Sequence, residues 1–153
     1  MDTYMSQEDL QKVFDQVTRN VTKEVAGIQL HPGNAPPYGE LCTVYTSFNK
    51  GFYSGLSFSA GINFFTRLTR FMLQTEDVSL QYVEDFTKEY LNILCGHIAS
   101  ELYQITKVPS RFLVPTFHHG HYQPEGFQQQ FEIDYFSKRS KGVQLIHYIP
   151  NQK

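Results

Sequence analysis

Two runs of β-branched and aromatic residues, 41–48 and 52–58, are separated only by Asn49-Lys50-Gly51. Parallel strands need a crossover of about a dozen residues or more, so this pair must be antiparallel, joined by a short hairpin turn. Helical periodicity brackets the pair. Ser6 and Asp9 begin a capping pattern, and Leu10, Val13, Phe14, Val17, Val21 and Val25 then recur at the three-and-four spacing of one buried helical face, predicting a helix over 6–25. Residues 31–39 hold three prolines and two glycines and are expected to be a loop with neither ladder nor helix. Phe64, Phe65, Leu68, Phe71 and Met72 give a second helix over 63–74. A third, the longest, spans 79–106 and is closed by Val108-Pro109. Three β-rich runs follow, 111–117, 130–136 and 143–149, the last two joined by a turn over 137–142. The order is α-β-β-α-α-β-β-β. Helices and strands in separate blocks, with hairpins instead of crossovers, indicate an α+β fold whose antiparallel sheet carries its helices on one face. At 153 residues the chain suits a single domain over 1–153.

Composition narrows the function. The chain is 41% hydrophobic and 15% aromatic, which fits a packed body and not a disordered one. Thirteen Lys and Arg against 15 Asp and Glu give a net charge of -2, which leaves no broad basic field for a phosphate backbone. The thirteen Phe and ten Tyr are therefore expected in the core and not on a stacking platform for single-stranded nucleic acid. Cys42 and Cys95 lie in apolar surroundings without ligand spacing and are expected to be reduced core thiols. The first 25 residues lack the basic start and apolar run of a secretory signal. No window approaches the roughly 20 apolar residues needed to span a bilayer, so a cytoplasmic protein is expected, with no membrane partner.

The third helix carries the chemistry. At roughly 100° per residue, Asp85, Glu89, Asn92, Gly96, Ser100 and Tyr103 fall within about 60° of one line. Tyr90, Leu91, Leu94, Ile98, Leu102 and Ile105 gather on the opposite side as the core face, so the polar line points outward. A solvated face is the ordinary explanation of such a line. Gly96 and Asn92 resist it. A mid-helix glycine costs about 1 kcal/mol relative to alanine, and on an open surface nothing within the chain offsets that cost. A bare glycine beside Asn and Glu suggests a surface that another macromolecule approaches closely.

The pattern Asp85-x-x-x-Glu89-x-x-Asn92 is similar to the active-site motif of the CheC and CheX chemotaxis phosphatases, and the stretch from Glu89 to Gly96 resembles theirs further. The hairpin and second helix before it, and Phe112-Leu113-Val114-Pro115-Thr116 after it, extend the resemblance over nearly the whole chain. CheC carries the motif on two helices and CheX on the later one only. Here the first helix has Arg19 and Thr22 at the Glu and Asn positions, which makes CheX the nearer relative.

The resemblance implies a phosphatase in two-component signalling that hydrolyses the aspartyl phosphate of a CheY-like response regulator. In phosphoryl transfer the catalyst chiefly positions the nucleophile and stabilises charge. Asn92 would orient the attacking water, and Glu89 would dock the regulator's lysine. Asp85 would extend the acidic edge, and Gly96 would admit the partner backbone. The chain itself would bind no cofactor or metal, the Mg²⁺ belonging to the regulator. A homodimer formed through the sheets is the family's assembly. A non-catalytic regulator-binding module of the same fold is the alternative, and a small-molecule sensor built on an aromatic cavity is a third.

Other signals carry less. His118-His119-Gly120-His121 could suggest a metal, but adjacent residues on a strand point to opposite faces, so a polar strand-end loop is expected. His97 lies off the polar line and receives no catalytic part. Lys138, Arg139 and Lys141 read as a solvated basic hairpin tip, with contact to an acidic partner as the lesser reading.

Overall fold

A computed structural model describes residues 5–50 and 53–151. The elements follow the expected blocks: α1 (Gln7–Ala26), β1 (His31–Pro32), β2 (Leu41–Lys50), β3 (Ser54–Gly61), α2 (Ile62–Leu73), α3 (Leu80–Thr106), β4 (Arg111–Phe112), β5 (Thr116–His119), β6 (Phe127–Ser137) and β7 (Lys141–Pro150). All strand pairs are antiparallel, in the order β1-β6-β7-β3-β2-β4, with β5 also on β2. The turn expected at Asn49-Lys50-Gly51 lies partly outside the described residues.

The in-register rows of the sheet explain the core. Val44, Phe58, Leu145 and Ile133 stand side by side across β2, β3, β7 and β6. With Cys42, Leu56, Ala60, Val143 and Tyr135 they make the apolar face on which the helices pack. Alternation then sends Tyr45, Ser57, Ile146 and Glu132 to the other face, because successive side chains of a strand point oppositely. The helices are fixed by their ends. Ser6 Oγ accepts the Asp9 N–H at 3.1 Å to start α1, and Ser79 Oγ accepts the Tyr82 N–H at 3.1 Å to start α3. Lys107 in the left-handed region, φ 62°, ends α3 just before Val108-Pro109.

Several local readings need correction. His31 and Pro32 pair with Phe136 and Tyr135, so the proline-rich segment does join the ladder. It does so at the edge of the sheet, where a missing proline N–H can face away from the ladder. The run 111–117 is two strands, not one. On β2 the register moves three places, from Phe48 to Tyr45, while the opposing chain moves four, from Phe112 to Thr116. Pro115 has no N–H to give, and the chain leaves the ladder there. Strand β6 starts at Phe127 instead of Gln130, because an extra residue at Gln130 bulges between the Gln129–Tyr148 and Phe131–His147 pairs and pairing resumes beyond it. Phe71 of α2 is 44% exposed and Ile105 of α3 is 56% exposed, although both share the spacing of buried neighbours. Each lies in the last turn of its helix, past the last buried residue of that helix.

Candidate functional site

Orientation of α3 is set from its buried side. Tyr90 is fully buried, with its ring edge-on to Phe58 of β3 at 5.3 Å and its hydroxyl 2.5 Å from Thr22 Oγ1 of α1. Burial pushes its phenol well above the ordinary range, so it stays a neutral hydrogen-bonding group. Leu91, Leu94, Cys95, Ile98 and Leu102 complete the buried face. At one end of the helix Glu84 Oε2 meets His119 Nε2 of β5 at 3.1 Å. With the inner face held at these points, the opposite face has to look outward.

That face carries the expected residues together. Asp85, Glu89 and Gly96 are exposed and Asn92 is half-buried, on successive turns of one helix. Asp85 Oδ1 accepts from Gln81 Nε2 at 3.0 Å, which steadies the acidic end of the row. Neither Glu89 nor Asn92 has a side-chain hydrogen bond or ion pair with another described residue. Their donors and acceptors therefore face solvent. A Cβ built on Gly96 meets nothing within 4 Å, so no packing inside the chain requires this glycine. Ser100 and Tyr103 continue the exposed line.

The corresponding turn of α1 is built differently. Arg19 Nε donates to Asp15 Oδ1 at 3.1 Å, and the same oxygen accepts from the Tyr135 hydroxyl at 2.6 Å. Thr22 is buried against Tyr90. These positions hold α1 to α3 and the sheet and present no second copy of the row. Beside Gly96, His97 and Glu101 border a groove of about 630 Å³ against Gln16 and Asn20 of α1. No sequence signal marks this groove, because it arises where two helices distant in sequence pack together.

The histidine cluster divides as strand geometry requires. His118 stacks on Tyr122 at 3.9 Å on one face of β5, and His119 turns to Glu84 on the other. Both belong to the end of β5 itself and not to a loop. Among the described residues no group of three His, Cys, Asp or Glu side chains could hold a metal ion. Cys42 and Cys95 are buried free thiols; burial first, then Glu40 and Glu84, push Cys42 up to about 11. Among the described residues no helix is long and apolar enough to cross a membrane.

No protein-family model and no curated protein matches the sequence. Solved structures do. The crystal structure of chemotaxis protein CheX from Desulfovibrio desulfuricans superimposes with a TM-score of 0.73 at 18% identity, over 91% of this chain and 97% of that one. A CheX-CheY-BeF3-Mg²⁺ complex from Borrelia burgdorferi gives 0.73 at 13% identity, over 94% and 99%. A CheC-like superfamily protein from Shewanella sp. PV-4 gives 0.67 at 16% identity, over 94% and 98%. The chain thus has the α+β fold, with open antiparallel sheet and three helices, that is seen in the CheX and CheC-like chemotaxis proteins.

Proposed function

We propose that this chain is a phosphatase for the aspartyl phosphate of a CheY-like response regulator, acting through the outward row on α3. The observation that carries the reading is the row itself: Glu89 and Asn92 without partners among the described residues, next to a glycine whose missing side chain faces open space. The fold shared with CheX proteins supports it, and so does the existence of a CheX bound to CheY in the Borrelia burgdorferi complex.

The chemistry needs little from this chain. The regulator supplies the phosphorylated aspartate, its lysine and its Mg²⁺. Asn92 accepts a hydrogen bond from a water through its amide oxygen and donates to a phosphoryl oxygen through its NH₂ group, holding the water in line. Water oxygen bonds to phosphorus, the bond from phosphorus to the regulator's carboxylate oxygen breaks, and the carboxylate leaves as an anion. The water's proton passes to phosphate or solvent, since an amide cannot take it. Glu89 pairs with the regulator's lysine and fixes the depth of insertion. Asp85 extends the acidic edge, and Gly96 permits close approach of the partner.

Adding the protein to a phosphorylated receiver domain and following release of phosphate tests this reading. Faster release is expected. Saturable binding with an unchanged rate would leave the non-catalytic binding module instead. We also infer a homodimer formed through sheet edges. N-terminal to Asp134 the outer edge of β6 has no strand beside it among the described residues, and its Gln130 carbonyl accepts from the Gln7 side chain at 3.3 Å. Light scattering should give twice the 17.8 kDa chain mass at micromolar concentration, and the single mass would overturn the dimer.

A further inference from the structure

A second concavity lies away from the α3 row, where α1 ends against α2, and it gathers positive charge. Arg67 and Arg70 project from α2, and Arg139 reaches the same cleft from the β6–β7 turn, about seventy residues later in the chain. Near convergence of like charges is unfavourable without a counter-charge. Among the described residues none of the three forms an ion pair; Glu76 borders the cleft, but its carboxylate lies beyond ion-pair distance of them. Instead, Arg70 Nε donates to the Glu76 carbonyl at 3.0 Å and Arg67 Nη1 donates to Ser140 Oγ at 3.4 Å, which leaves other guanidinium N–H groups of both uncommitted. Burial, and after it the charge of Arg139, draw Arg67 below its ordinary pKa, so the two cations do feel each other.

An aromatic ring completes the cleft. Phe71 is 44% exposed, and one side of its ring lies against Gly27, where an added Cβ would sit 2.4 Å from a ring carbon. Gly27 also has φ +66°, so a side chain is unwelcome there on both counts. Phe71 itself lines the cleft, so the exposed part of its ring is available to a ligand there. The cleft volume, about 620 Å³, falls in the range of small-ligand sites and is far larger than a lone phosphate ion needs.

We propose that this cleft binds a nucleotide, with its phosphates among Arg67, Arg70 and Arg139 and its base against the exposed part of the Phe71 ring. Guanidinium groups match phosphate oxygens by paired N–H donors, and a planar base suits an aromatic face. The preference over an acidic peptide rests on the single aromatic ring beside the clustered charges. This site is independent of the phosphatase reading.

Fluorescence anisotropy with N-methylanthraniloyl ADP and GDP, backed by competition with unlabelled nucleotide, tests the proposal on the whole chain. Saturable binding of at least one is expected. Arg139→Glu, at an exposed turn position, should weaken it tenfold or more, and Phe71→Ser several-fold. Lys138→Glu, also exposed on that turn but outside the cleft lining, should change it less than twofold. Tripolyphosphate should compete more weakly than the nucleotide. Absence of saturable binding, an equal loss in Lys138→Glu, tripolyphosphate competing as well as the nucleotide, or stronger competition by an acidic peptide would each overturn the assignment.

Discussion

The hydroxyls of Thr22 and Tyr90 meet at 2.5 Å in the buried seam between α1 and α3, one residue along the helix from Glu89. A contact between residues so far apart in sequence locks the rotation of α3 and with it the outward aim of Glu89 and Asn92. It also occupies the position on α1 where a second motif would need its amide.

Rebuilding that second motif should therefore fail. The pair Arg19→Glu with Thr22→Asn removes the bond from Arg19 to Asp15 and forces a larger amide into a buried site. Loss of stability of about 1–3 kcal/mol is expected, read by urea denaturation, with no added phosphatase turnover. A stable variant with a doubled rate would show that α1 retains a usable face.

Gly96→Ala separates fold from function. Nothing lies within 4 Å of the added methyl, so helix propensity alone acts on stability and should raise it by about 1 kcal/mol, or roughly 2–4 °C in melting temperature. On the proposed reading, in which the partner approaches this face, the same methyl should weaken regulator binding several-fold. A raised melting temperature with unchanged binding would take Gly96 out of the contact.

What was legible in the sequence was local. Ser6 and Ser79 start their helices by capping, and the row from Asp85 to Gly96 follows from helical periodicity alone. Phe71 and Ile105 were not legible as exposed, since periodicity assigns a side to a residue but does not say where the neighbouring element stops. The break at Pro115 and the bulge at Gln130 depend on the register of a partner strand, and the arginine cleft depends on a turn meeting a helix. Nor did the sequence mark His147, whose inward place appears only once β7 is paired.

His147 is 3% exposed, stacked on Phe131 at 4.9 Å, with Phe14 edge-on at 4.9 Å; its Nδ1–H donates to Gln130 Oε1 at 2.7 Å. Burial lowers its pKa to about 4 from the model-peptide value of 6.5. The unfolded chain thus takes up a proton at a higher pH than the folded one does. Stability from the neutral ring is fully present above pH 6.5 and is lost as pH falls from there towards 4, by about 3 kcal/mol in all. His147→Phe should flatten that limb of a stability-versus-pH curve from urea denaturation. An unchanged limb would assign acid sensitivity to other groups.

On the proposed reading Asn92 performs the chemistry while Glu89 docks the partner. Dephosphorylation of a phosphorylated receiver, measured at saturating protein alongside equilibrium binding, tests it most directly. Asn92→Ala should slow turnover of the bound complex on the order of 10²-fold with binding nearly intact, since its interaction is needed in the transition state. Glu89→Lys should weaken binding about tenfold or more, in a manner that depends on salt. Full turnover in Asn92→Ala, with the fold intact, would contradict the account.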